Sequence, residues 1–146
     1  MKIEELSVGD WVFHLAEMQA GRISHIHRIG GIYSIGLDCA DCVVVCGIND
    51  IAPIALTPVI LEKNGFVKIT EDMVWAEHLN PKLAEIPTWG LKIGERPVPY
   101  LAAKMRDNNH FEITTTNIEL FRFKVGHVHQ LQHTLRLAGI EKDIEL

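Results

Sequence analysis

Apolar and polar residues alternate in short runs through the first third of this chain, and a period close to four takes over further on. Leu6-Ser7-Val8-Gly9-Asp10-Trp11-Val12-Phe13 predicts a turn at Gly9-Asp10 leading into a strand. Gly21 then opens Arg22-Ile23-Ser24-His25-Ile26-His27-Arg28-Ile29, where a period of two places Ile23, His25, His27 and Ile29 on one face. Gly30-Gly31 makes the next turn, Ile32–Ile35 and Cys42–Cys46 are β-branched runs of strand length, and Asn49-Asp50 marks the exit. Several short strands at this spacing predict an SH3-like small β-barrel over residues 1–53.

After Pro53 the period changes. Thr57-Pro58 is a helix start: the threonine oxygen accepts a backbone hydrogen bond, and the proline sits where its missing donor costs nothing. Val59-Ile60-Leu61-Glu62-Lys63 continues that helix and Asn64-Gly65 stops it. Thr70-Glu71-Asp72 caps a second short segment through Val74, Trp75 and Leu79, ended by Asn80-Pro81. Trp89, Leu91 and Ile93 alternate, as do Leu101, Ala103 and Met105. The turn Asp107-Asn108-Asn109 then leads into Phe111, Ile113 and Thr115, which predicts a hairpin. A further strand over 118–124 leads into a last helix whose stripe is Val128, Leu131, Leu135 and Ala138, with Gly139 at its end. The expected class is α+β. The SH3-like barrel of residues 1–53 precedes an α+β subdomain of residues 54–146, made of a short helix, an antiparallel sheet and a terminal helix, and both are expected to share one core.

Composition narrows the function classes. With 146 residues, 47% hydrophobic and 23% charged, the chain has the balance of a soluble domain that folds throughout. No apolar run reaches the length of a membrane span, and Met1-Lys2-Ile3-Glu4-Glu5 is not a signal pattern, so the expected location is the cytoplasm and no membrane partner is expected. The net charge is −5, and residues 1–50 carry three basic against seven acidic side chains. An acidic barrel is poorly suited to neutralising phosphates, which makes nucleic acid an unfavoured partner, although Arg122, Lys124 and Arg136 offer a local basic patch.

The densest chemistry lies at Val125-Gly126-His127-Val128-His129-Gln130-Leu131-Gln132-His133. His129 and His133 are four apart on a helix, so both rings project from one side and suit a shared divalent ion such as zinc, but the intervening glutamate of a metalloprotease helix is missing. Cys39-x2-Cys42-x3-Cys46 is a second candidate, since thiolates at such spacing suit zinc or an iron–sulfur cluster. It has three thiols only, and Cys42, Val44 and Cys46 alternate as small core hydrophobes would. Reduced thiols are expected. His25 and His27 share a strand face without a paired nucleophile, and the adjacent pairs Ser24-His25 and Glu77-His78 define no triad. Trp11, Trp75, Trp89, Phe121 and Phe123 are expected mostly in the core. Gly30-Gly31 and Gly90-x3-Gly94 lack the helix and lysine of a phosphate loop.

The segment Pro53-Ile54-Ala55-Leu56-Thr57-Pro58-Val59-Ile60-Leu61-Glu62-Lys63-Asn64-Gly65-Phe66, together with Val128-His129-Gln130-Leu131-Gln132-His133, resembles a family of small bacterial proteins found on prophages and other mobile elements. That family has a Pro-Ile-Pro-Leu-Thr helix start and a terminal Val-His-Gln-Leu-Gln-Asn helix, and it brings no activity to carry over. The resemblance implies a phage or mobile-element product. His133 stands where the family has asparagine and Ala55 where it has proline, and the first departure weighs against a required His129/His133 metal pair. The resulting expectation is a non-enzymatic protein-interaction module without a cofactor, binding a protein through His127, His129, Gln130, Gln132 and His133. The alternatives are a metal-binding protein or metal-dependent enzyme built on His129 and His133, and a nucleic-acid-binding small barrel.

Overall fold

The computed structural model describes residues 1–70, 86–94, 100–107, 110–115 and 122–146. Among them the chain is α+β, with two antiparallel five-stranded sheets and two α-helices. Residues 1–55 and 127–133 form one compact unit, and residues 56–126 and 134–146 a second.

The first unit is a meander: β1 (Trp11–His14), β2 (Gln19–Ile29), β3 (Ile32–Cys39), β4 (Val43–Cys46) and β5 (Ile51–Pro53). Its order is β4-β3-β2-β1-β5, so the last strand returns beside the first, after a single 3-10 turn at Ile48–Asp50. Among the described residues the ladders form an open row and no ladder joins β4 to β5. Val12, Ile23, Ile35, Leu37 and Ile51, with Leu6, fill the core side, and Ile26, Val44 and Cys46 pack against them half-buried.

One register detail corrects the alternation read from the sequence. Ile23 pairs Leu37 but His25 pairs Gly36, with Ser24 as an extra residue between them. Such a bulge advances the strand by one position and swaps the faces of everything beyond it. Ile23 therefore points into the core, whereas His25 and His27 turn to the other side and Ile26 takes the inward position.

The second unit begins with α1 (Pro58–Lys63), which starts and stops where the sequence pattern put it. Thr57 Oγ1 accepts from the Ile60 N–H at 3.3 Å, and Gly65 takes φ +74°, a conformation that favours glycine. The sheet runs β10-β9-β8-β7-β6, from β6 (Phe66–Lys68), β7 (Thr88–Leu91), β8 (Leu101–Asp107), β9 (His110–Thr115) and β10 (Arg122–Val125). The expected hairpin is β8 and β9, with Ala103 opposite Ile113 and Met105 opposite Phe111. Strand β6 had no counterpart in the sequence reading. Three residues, of which only Phe66 is buried, make too short a period to detect. Trp89 packs edge-on to Phe111 with ring centres 5.8 Å apart, and its Nε1–H donates to Glu62 at 2.9 Å. The helical segment expected from Thr70 to Leu79 lies, beyond its first residue, outside the described residues.

The terminal helix α2 (Val128–Leu137) ends where Gly139 takes φ +72°. Val128, Leu131 and Leu135 are buried as its stripe predicted.

Candidate functional site

The N-terminal turns of α2 belong to the first unit and bring the densest polar chemistry together with the Gly9-Asp10-Trp11 segment. The chain enters this region through a bridge between Ala55 and His127, and the Val128 N–H donates to the Ile54 carbonyl at 2.9 Å. The Gln130 side-chain oxygen accepts from the His127 N–H at 3.2 Å and so satisfies a donor at the helix start.

Gln132 is buried and works as a two-point clamp. Its Oε1 accepts from the Trp11 N–H at 3.0 Å, and its Nε2 donates to the Gly9 carbonyl at 3.0 Å. A side-chain amide carries the same donor and acceptor as a peptide, so Gln132 pairs with this backbone much as a neighbouring strand would. One residue on, His133 Nε2 donates to Asp10 Oδ2 at 2.8 Å. Asp10 is fully buried, and the same carboxylate oxygen accepts from the Ser7 N–H at 2.7 Å. Gly9 at φ +90° makes the turn that exposes these backbone groups.

His129 differs from every other polar group here. It is 1% exposed, and neither ring nitrogen has a hydrogen-bond partner among the described residues. Its ring stacks on His127, with centres 5.7 Å apart and planes 10° from parallel, and meets His133 edge-on at 6.2 Å. Burial pushes its pKa down to about 4, with the neighbouring His127 and His133 adding to the effect and Asp10 and Glu5 opposing it. The ring is therefore neutral at physiological pH. Of the five residues expected to form a binding surface, His129 and Gln132 are buried, while His127, Gln130 and His133 are half-buried. Sequence reasoning missed Asp10, Gly9 and Trp11 as their partners.

The cysteines also separate. Cys39 and Cys46 are half-buried against the core, and Cys42 is exposed. The alternation that made Cys42 a core hydrophobe fails because it lies in the turn before β4 begins. Among the described residues no group of three histidine, cysteine, aspartate or glutamate side chains is placed to hold a metal ion. That applies both to the His129/His133 helix and to Cys39, Cys42 and Cys46.

On the side of the first sheet away from its core, cross-strand pairing sets up continuous rows. His25, Gly36 and Val45 form one, Arg22, Asp38 and Val43 another, and Ile29 faces Ile32 near the hairpin tip. The His25 ring lies over Gly36, where a Cβ would come within 2.0 Å of it, so only glycine leaves room for that ring. Val43 and Val45 are 71% and 65% exposed, and Ile29 and Ile32 are more exposed still. Arg22 covers the Trp11 ring at 5.1 Å, a cation–π contact at the same sheet.

No described helix is long and apolar enough to cross a membrane. Comparison of the chain with family models, with curated proteins and with solved structures finds no match.

Proposed function

We propose that this chain is a non-enzymatic protein-interaction module of a phage or other mobile element. The surface we assign is the outer edge of β4 with its outward valines, and the occupant is an extended, uncharged, β-branched segment of another protein laid beside β4. The carrying observation is β4 itself. It is the end strand of its sheet, it reads Val-Val-Val-Cys without a charge, and its outward valines are exposed. Natural edge strands are usually blunted by charge or proline, because unpaired backbone groups along an apolar strand recruit another strand. Asp41 is the only charged residue between Cys39 and Asn49, so an uncharged segment meets little electrostatic conflict there.

The meander, with its last strand beside the first and a 3-10 turn before it, supports reading residues 1–53 as an SH3-like small barrel. The mobile-element setting is supported by the resemblance at the two helix starts. The surface first expected around His127–His133 is less favourable, because two of its five side chains are internal.

The test compares the tagged full chain with Val43→Lys/Val45→Lys and with Gln130→Ala as baits in a bacterial host lysate. A protein partner lost by the valine variant and kept by the glutamine variant is the expected result. Retention of every partner by the valine variant, loss confined to Gln130→Ala, or salt-sensitive recovery of nucleic acid alone would each overturn the assignment.

A further inference from the structure

The turn between β3 and β4 holds two thiols in a chemically distinct arrangement. Cys39-Ala40-Asp41-Cys42 closes that turn, with the Cys39 N–H donating to the Cys42 carbonyl at 2.9 Å. With Asp38 paired to Val43 just before it, this bond sets Cys39 opposite Cys42, and opposed residues of an antiparallel pair stand about 4.5–5.5 Å apart at Cα, inside the range that a disulfide spans. Opposed residues of an antiparallel pair carry their side chains on the same face of the sheet, which makes the two thiols neighbours. Two neighbours hold them in place. Gln19 Nε2 donates to Cys42 Sγ at 3.3 Å, and Cys39 Sγ lies over Gly21, only 2.8 Å from where a Cβ would be. Their accessibilities differ: Cys42 is exposed and Cys39 is half-buried.

We propose that Cys39 and Cys42 form an oxidisable dithiol, a modification site that converts to an intramolecular disulfide on reaction with hydrogen peroxide. The exposed Cys42 sulfur reacts first, as its thiolate. It gives an electron pair to peroxide, an S–O bond forms as the O–O bond breaks, and hydroxide leaves to take a proton. Cys39 sulfur then attacks the Cys42 sulfenic acid. The S–S bond forms, the S–O bond breaks, and the departing hydroxide leaves as water with the Cys39 proton. In total, two thiols and one peroxide give one disulfide and two waters, the sulfurs losing two electrons and the peroxide gaining them. Burial, then the Cys42 thiol beside it, pushes the Cys39 pKa up, which suits Cys39 to the second step rather than the first. Cys46 takes no part. It lies at the far end of β4, opposite Ile35, and burial followed by Asp50 pushes its pKa up.

The full chain is treated with hydrogen peroxide and followed by intact mass and peptide mapping, beside Cys39→Ser, Cys42→Ser and Cys46→Ser variants whose folding is checked by circular dichroism. The expected result is a loss of two hydrogen masses, a linked peptide joining Cys39 to Cys42, and full reversal by dithiothreitol. Cys46→Ser should behave as the parent. Cys39→Ser should leave a Cys42 sulfenic acid that dimedone captures, and Cys42→Ser should give neither product. A persistent dimedone adduct on Cys42 in the parent chain, a link through Cys46, or first oxidation at Cys39 would overturn the proposal. So would a chain that purifies with zinc on these thiols and resists peroxide.

Discussion

The two units differ in burying ionisable groups: among the described residues the buried polar side chains of the second, Asn64, Thr88 and Thr134, are neutral, and Asn64 bonds the Ile60 and Glu145 backbone, whereas the first buries Asp10, His14 and His129. In the first, the sheet core is aliphatic, but the contact between its Gly9-Asp10-Trp11 turn and the start of α2 encloses a carboxylate, an amide and an imidazole. In the second, all four residues of β7 are buried, Leu101, Ala102 and Ala103 are buried in succession on β8, and Trp89 packs edge-on to Phe111. Its clearest ion pair is superficial. Arg106 grips Glu112 through two nitrogens at 2.8 and 3.1 Å, and that hydrogen bonding holds the Glu112 carboxyl below its ordinary range. Apolar burial gives stability that does not depend on protonation, whereas buried polar groups fix geometry and make it depend on pH. The second unit should therefore fail by loss of packing, and the first by loss of hydrogen bonds or by gain of a proton.

The largest effect is expected in the second unit. Phe111 is 2% exposed and carries the edge contact to Trp89, so Phe111→Ala removes both transfer energy and a ring contact. A loss of about 3–5 kcal/mol is expected in denaturant titrations, the usual cost of emptying such a site. The loss should be the same at pH 5 and pH 8. A cost below about 1 kcal/mol would mean that the aromatic pair does not anchor this sheet.

In the first unit the comparable weak point is His129. Its folded pKa, about 4, lies below the ordinary value of 6.5, so the unfolded chain binds the proton more readily. The associated stability is complete above the ordinary value. It is lost as pH falls through the window down to about 4, and it changes no further below that. A shift of this size corresponds to about 3 kcal/mol. Unfolding free energies measured between pH 8 and pH 4 should show this slope, and His129→Leu, close in volume and unable to take a proton, should flatten it. An unchanged slope in His129→Leu would place the acid sensitivity on another group.

What the sequence disclosed follows the range of the interactions involved. The start of α1 was legible because Thr57 caps a donor three residues away, and its end because Asn64-Gly65 is a local stop. The β8–β9 hairpin was legible because its partners are neighbours in the chain. The face of His25 was misread because a bulge at Ser24 is defined only against β3, and a single strand carries no mark of it. The polar contact at α2 was hidden for a related reason, since Gln132 bonds Trp11 across a separation of 121 residues. One signal was available. Gln132 lies four residues after Val128 and three before Leu135, so a polar side chain interrupts the apolar stripe, and a buried amide at such a position requires partners.

The smallest of these effects isolates that amide. Gln132→Ala leaves the Trp11 N–H and the Gly9 carbonyl without their side-chain partner, and a cost of about 1–3 kcal/mol is expected from groups deprived of a hydrogen bond inside a fold. Gln132→Glu separates the two bonds: its carboxylate can still accept from Trp11 but has nothing to donate to Gly9. It also brings a negative charge into the region of the buried Asp10. Gln132→Glu should therefore be less stable than Gln132→Ala at neutral pH and recover on acidification as the new carboxyl takes a proton, opposite in sign to the His129 effect. Chemical denaturation of both variants at pH 7 and pH 5 measures the contrast. If the two variants were equally stable at both values, the clamp would be a packing contact, and the polar character assigned to the first unit would rest on Asp10 and the histidines alone.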